Sequence, residues 1–222
     1  MRIIALSDIH GSYRKVEEIL SQETAGDVLV TSGDLTTVGS PRDAEDVIKR
    51  LKSFGKPVLA VCGNMDLPAL DDVLVRLSVS INGRGVIIDR IGFFGVSGAP
   101  LSPLHTPNEI CEDEIMRRAV AGWKDIAEAE RKVFVPHAPP HNTNVDRSFL
   151  ARHAGSTAVR EFIEKYQPDV TICGHIHEGR GTMRIGKTLC INPGSMYEQG
   201  TLLGAIVSLG KNKIENFVLT SG

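Results

Sequence analysis

Short apolar runs punctuate this chain, and each stops at a small residue followed by an acid or an amide. Ile3 to Leu6 is too brief for a helix and rich in isoleucine, the pattern of a strand buried on both faces. Asp27-Val-Leu-Val-Thr-Ser-Gly-Asp34 and Pro57-Val-Leu-Ala-Val-Cys-Gly-Asn64 repeat the theme. Between them the period changes. Val16, Ile19 and Leu20 recur at helical spacing among Lys15, Glu17 and Glu18, which predicts an amphipathic helix from Tyr13 to about Gln22. Ser40-Pro41 predicts a second helix, with serine at the N-cap, proline in the first turn and Asp43 or Glu45 close behind. Strand, helix, strand, helix, strand is the signature of a parallel sheet with right-handed crossovers. Open sheets of this class carry their ligands at the carboxyl ends of the strands, where these runs deliver polar side chains.

The middle of the chain reads differently. Val79 to Ile81, Val86 to Asp89 and Ile91 to Val96 predict short strands in hairpins, separated by Asn82-Gly83 and by Arg90. Residues 97–108, with Gly98, Pro100, Pro103 and Pro107, predict either an ordered loop near a site or a mobile flap. A charged helix is expected over Glu109 to Lys132, with Ile115, Val120, Trp123 and Ile126 on its apolar side. Lys132 to His137 resumes the strand theme, Ser156 to Tyr166 is helical, and Asp169 to His177 is a last strand ending in polar residues. Short strands and glycine turns up to Leu219 suggest a second sheet packed on the first.

Composition narrows the class. A chain of 222 residues, 41% hydrophobic and 23% charged, fits one soluble domain over 1–222. The formal charge of −2 gives no global basic field for strong nucleic-acid binding. No leader-like segment and no bilayer-spanning apolar stretch stand out. Cys62, Cys111, Cys173 and Cys190 lack C-x-x-C spacing and read as buried, reduced thiols, hence a cytoplasmic setting. Oligomeric state is left open.

The chemistry lies at the strand ends. Strand alternation puts Asp8 and His10, two apart, on one face while Ile9 returns to the core. An Asp-x-His pair alone often just ends a strand. Here Asp34, Asn64, His137, His175 and His177 stand at four further ends. Three acids or amides and four imidazoles exceed one tetrahedral zinc site. They suit two divalent cations sharing a carboxylate, with mixed oxygen and nitrogen donors of the kind used by Mn, Fe, Co, Ni or Zn. Asp34, alone at its end, is the natural bridge. Two dications and two aspartates leave about +2, and a bridging hydroxide about +1, enough to attract an anion and hold a deprotonated water near neutral pH.

Asp8-x-His10, Gly33-Asp34, Gly63-Asn64, His137 and Gly174-His175-x-His177, in this order, resemble the calcineurin-like metallophosphoesterase superfamily over nearly the whole chain. The resemblance implies an α/β fold, a two-sheet β-sandwich flanked by helices in four layers, with a dinuclear site at the strands' carboxyl edge. It implies one ion on Asp8, His10, His177 and shared Asp34, and another on Asn64, His137, His175 and shared Asp34, manganese being the first choice. A bridging water would attack phosphorus in line. Asn64 would also touch the substrate, a small phosphate ester. The superfamily usually follows Gly-Asn with His and an acid; here Met65 replaces the His, and Asp66 is kept as a candidate catalytic acid. Asn192-Pro-Gly-Ser195 resembles a compact branch that acts on small phosphodiesters. Without a proton donor at 65, good leaving groups should be favoured. His141, behind two prolines, is a candidate substitute donor, and Arg180 a candidate phosphate contact. His105 and His153 are expected to be solvated. The alternative is a non-catalytic scaffold of the kind seen in the retromer's scaffolding subunit.

Overall fold

The computed structural model describes residues 1–22, 24–149, 153–211 and 213–221. In chain order the strands are β1 (Arg2–Leu6), β2 (Val28–Thr31), β3 (Val58–Ala60), β4 (Gly85–Ile88), β5 (Ile91–Val96), β6 (Ala99–Pro100) and β7 (Glu109–Ile110). They continue with β8 (Arg131–Pro136), β9 (Val170–Ile172), β10 (Gly181–Ile185), β11 (Thr188–Asn192), β12 (Leu203–Leu209) and β13 (Ile214–Ser221). Helices are α1 (Tyr13–Gln22), α2 (Pro41–Lys52), α3 (Leu70–Arg76), α4 (Glu112–Asp125) and α5 (Thr157–Tyr166).

Two sheets stack face to face. The first has the order β13-β12-β1-β2-β3 and the second β10-β11-β9-β8-β5-β4. β1, β2 and β3 run parallel, as do β5, β8, β9 and β11, so both sheets point strand ends at one edge. Ile3, Val30 and Val61 from the first sheet meet Phe93, Val135 and Ile172 from the second in a dry interface. Burying each such side chain contributes about 1.5–3 kcal/mol. Leu6, Leu29 and Ala60 face the other way, onto α1, α2 and α3. Phe94, Phe134 and Phe162 lock α4 and α5 onto the outer face of the second sheet, with Phe94 and Phe134 stacked at 4.7 Å. The result is the four-layer α/β/β/α arrangement the resemblance implies. No described helix is long and apolar enough to cross a membrane.

Local chemistry accounts for the helix ends. Ser40 and Asp43 form a reciprocal capping box on α2 with Pro41 in its first turn. Ser156 caps α5 by accepting from the Val159 amide at 3.0 Å.

Several expectations are corrected. In place of the strand expected at Val79 to Ile81, Ser80 and Asn82 make isolated parallel bridges to Ala60 and Gly95, so the Asn82-Gly83 turn joins no hairpin. The hairpin expected around Arg90 does form, as β4–β5, turned by Asp89 and Arg90, both with positive φ (45° and 67°). The long helix expected over 109–132 is shorter. Glu109–Ile110 pairs in parallel with Ala99–Pro100, Cys111 stands at the N-cap position of α4 without a side-chain bond, and Arg131 already begins β8. Cys111 is exposed, whereas Cys62, Cys173 and Cys190 are buried; all four are free. The tail divides between the sheets instead of building the second one: β10 and β11 extend the second, β12 and β13 the first. The short helix α3, with Leu70, Val73 and Leu74 buried at helical spacing, was not anticipated.

Candidate metal centre

The seven strand-end residues meet at the common carboxyl edge of the two sheets, but the backbone achieves this by a different route from the one expected. β1 ends at Leu6, and Asp8 and His10 both adopt left-handed conformations, with φ of 50° and 46°. Their common direction therefore comes from two left-handed residues flanking Ile9, which is fully buried, and not from strand alternation. Asp34 (φ 47°) and His175 (φ 67°) are left-handed too. Each such residue costs about 1–3 kcal/mol, and strain of this kind collects at functional sites. Backbone bonds hold the turns: Asp8 N–H to Gly33 O at 3.0 Å, His10 N–H to Asp34 O at 2.9 Å, and Gly174 N–H to His137 O at 2.9 Å. Gly33 (φ 109°) and Gly174 must lack side chains, because a Cβ would strike the His137 ring in one case and Ser7 and Asp8 in the other.

Two clusters result. Asp8, His10 and His177 offer donor atoms within 4.8 Å of one another, as do Asp8, Asp34 and His137. His10 Nε2 lies 3.6 Å and His137 Nε2 3.7 Å from Asp34 Oδ2, which puts Asp34 between the two groups. His177 Nε2 is 3.6 Å from Asp8 Oδ1. Asn64 Oδ1 sits 2.9 Å from His137 Nε2 and 2.7 Å from His175 Nδ1.

Hydrogen bonding tests whether cations fit here. The His137 Nδ1 proton goes to the Ser32 carbonyl at 2.8 Å, which leaves Nε2 of the neutral ring unprotonated and facing the Asn64 oxygen. Two lone pairs in contact call for a positive charge between them. His10 Nδ1 pairs with the Thr37 hydroxyl at 2.9 Å, while its buried Nε2 has no hydrogen-bond partner. Burial pushes His10 down to about 4 and His175 to about 3, and lowers His137 as well, so these rings are neutral and available as donors near pH 7. Burial, then the neighbouring Asp8 and Asp66 carboxylates, drive Asp34 well above the usual carboxylate range, and a divalent cation would relieve that repulsion. Burial opposes ionisation of Asp8 too, but the hydrogen bond and charge of His177 and the hydrogen bond from Ser7 hold it low. The mixed nitrogen and oxygen set suits first-row divalent metals.

Other expected site residues lie elsewhere. Asp66 is fully buried and accepts from the amides of Leu35 (3.0 Å), Thr36 (2.9 Å) and Gly63 (2.8 Å) and from the Thr36 hydroxyl (2.8 Å). With its lone pairs so engaged it positions the Asp34 and Asn64 loops and is not placed to give a proton. His141 faces Asp146, at 3.8 Å, and the His153 ring, at 6.0 Å. His153 is not merely solvated, since its Nδ1 is 2.7 Å from the buried Asp146 carboxylate. His105 is exposed, as expected. The Arg180 guanidinium donates to the carbonyls of Pro193 (3.0 Å) and Thr220 (3.3 Å), bracing a turn beside His177.

Residues that pattern reading missed support the cluster from outside. Ser7 Oγ donates to Asp8 Oδ2 at 2.5 Å, and Ser195 Oγ to the Asp8 carbonyl at 2.9 Å. Tyr197 packs on His10 with ring centroids 4.2 Å apart. Asn108 donates its side-chain amide to Gly63 O and its backbone amide to Asn64 O, so the proline-rich loop is ordered and backs the centre. Asn192 ties Val145, Gly174 and Ile176 carbonyls together, which gives the Asn-Pro-Gly-Ser segment its role.

The family model for calcineurin-like phosphoesterases matches residues 1–179. The uncharacterized protein MJ1162 of Methanocaldococcus jannaschii is 33% identical over 198 residues, covering 87% of this chain and 88% of that one. In fold, TT1561 of Thermus thermophilus matches with a TM-score of 0.73 at 19% identity, over 100% of this chain and 97% of that one. A dimetal phosphatase from Danio rerio matches with a TM-score of 0.66 at 14% identity, over 100% and 95%. With its family model spanning most of its length, the chain belongs to the calcineurin-like phosphoesterases.

Proposed function

We propose that the protein is a two-metal phosphodiesterase. The observation that carries the reading is the unmet lone-pair demand at the sheet edge: a buried His10 Nε2 with no partner, and His137 Nε2 set against the Asn64 oxygen. Asp8, His10 and His177 would hold one divalent ion, Asn64, His137 and His175 the other, and Asp34 both. When bound, such ions supply Lewis acidity and an activated water for attack on phosphorus. The protein's own part is to fix donor geometry before substrate arrives. Ser32, Thr37 and Ser7 set the ring and carboxylate orientations from behind.

The preference for diesters rests on the resemblance of Asn192-Pro-Gly-Ser195 to a compact phosphodiesterase branch, and the choice of leaving group on Met65. Its backbone amide donates to Asp34 Oδ1 at 2.8 Å, so the residue keeps a structural duty, but a thioether brings no proton to a departing alkoxide. Good leaving groups then gain most. Manganese is our first choice of metal, and the free cysteines favour a reducing cytoplasmic setting. Purified, metal-replete protein should hold about two ions per chain and hydrolyse bis(nitrophenyl) phosphate faster than nitrophenyl phosphate. A metal-replete protein inert toward both esters would turn the reading toward a scaffold, which the loss of the usual His at position 65 favours.

A further inference from the structure

Beside the candidate centre opens a cavity of about 480 Å³ whose wall includes Phe149, Glu178, Arg180, Met196, Tyr197 and Glu198. It joins the centre at three points. His177 belongs to both, Ser195 lines the cavity while bonding the Asp8 carbonyl, and Tyr197 stacks on His10. An ester of phosphate held at the centre would extend an arm into this space.

The wall's chemistry selects the arm. Phe149 is 88% exposed and Met196 43%, an uncovered apolar surface on the cavity wall. Glu178 accepts a long bond from the Phe149 amide (3.4 Å), and Glu198 one from the Tyr197 hydroxyl (3.4 Å). Among the described residues no lysine or arginine forms an ion pair with either carboxylate. The guanidinium of Arg180 is directed to two backbone carbonyls. Two carboxylates against one guanidinium leave the described wall with a net charge of −1 when His177, which also lines it, is neutral as a metal donor. A second phosphate would be repelled there. An apolar-bodied group with a positive end would cover Phe149 and Met196 and meet the carboxylates, with the aromatic faces adding attraction for an ammonium.

We propose that this cavity is the subsite for one ester arm and that it selects an arm ending in an organic ammonium. The inference rests on the phosphodiesterase reading above. Nitrophenyl phosphorylcholine and ethyl nitrophenyl phosphate share a leaving group and differ in the charge of the second arm. With manganese-loaded protein, kcat/KM for the choline ester should exceed that for the ethyl ester about tenfold at low salt, and the ratio should shrink as ionic strength rises. In the Glu178→Gln/Glu198→Gln double variant the ratio should approach one, with metal content as in the parent. Calorimetry gives a readout independent of turnover: phosphocholine should bind about tenfold tighter than ethyl phosphate, a difference lost in the double variant. Hydrolysis of both esters at equal efficiency, or a ratio the double variant leaves intact, overturns the subsite. Selective phosphocholine binding without hydrolysis of either ester supports the subsite and removes the phosphodiesterase reading instead.

Discussion

The two halves of the candidate centre are built from similar donors but live in different surroundings. Asn64, His137 and Asp34 are buried, and the loop of residues 97–108 closes over them through Asn108. On the other side the side chains of Asp8 and His10 are buried as well, but His177 is 30% exposed and opens onto the cavity beside Tyr197. Ring orientation follows the same split. His137 is fixed by a main-chain carbonyl, while His177 leans on Asp8 and begins a short 3₁₀ turn at the surface. A buried donor set whose members cannot move away should hold its ion firmly, and an open one should exchange it and meet the substrate.

Asp34 belongs to both halves, so its loss should have the largest effect. Asp34→Asn is expected to lower metal content toward zero and diester hydrolysis by about a thousandfold or more, the several kcal/mol that a shared anionic donor supplies. Metal analysis alongside turnover checks this, and a variant that keeps two ions would show that Asp34 does not bridge. Next in size is the contrast between halves. After dialysis, His177→Ala should keep about one firmly held ion per chain, whereas His175→Ala should keep less than one. Equal losses from the two variants would erase the distinction drawn above.

How much of this was readable from the chain depends on which kind of force fixed each feature. The strands β1, β2, β3, β8 and β9 were legible because short apolar runs that stop at serine, proline or glycine have one cheap solution in a parallel sheet. The candidate donors were legible because they follow those runs directly. The left-handed backbone at Asp8, His10, Asp34 and His175 was not, since only the packed turn forces a non-glycine residue there. Asp66 shows the limit most clearly: an acid next to the Gly-Asn motif reads as chemistry, and only the surrounding amides reveal a carboxylate consumed by its own loops. Tyr197 and Phe149 reach the site from loops distant in sequence, where no local period marks them. The 109–132 stretch was misread because charged, helix-forming residues continue past both ends of α4, and β-pairing of Glu109 and Arg131 overrides that propensity.

Met65 sharpens the comparison from the side of the leaving group. It is partly buried and bonded through its backbone amide to Asp34, at the position where the wider superfamily carries a histidine. Met65→His should raise turnover of an alkyl phosphodiester about tenfold or more, and leave the nitrophenyl diester nearly unchanged, since nitrophenolate departs without protonation. A Brønsted plot over leaving groups measures it; an equal gain for all of them would point to altered metal binding rather than proton donation.

The smallest effect concerns the brace on the buried half. Glu109 accepts from the amides and hydroxyls of Ser102 and Thr106 at 2.7–2.9 Å, and so closes the loop that backs Asn64. Burial opposes its charge, but these four donors outweigh it and hold the carboxyl down at about 2, against an ordinary value of 4.5. A depressed pKa stabilises the folded form above the unfolded value, and that contribution is lost as pH falls from about 4.5 toward 2. Hydrogen exchange at the Ser102 and Thr106 amides should therefore lose protection, beyond the intrinsic change in rate, across that window in the parent protein. Glu109→Gln should show the reduced protection already at pH 7 and no further step in acid. If the loop only covers the buried half, its release should quicken metal exchange there without moving His177. A parent protein whose loop protection stays flat through the acid range would mean that neutral packing, and not this carboxylate, keeps that half closed.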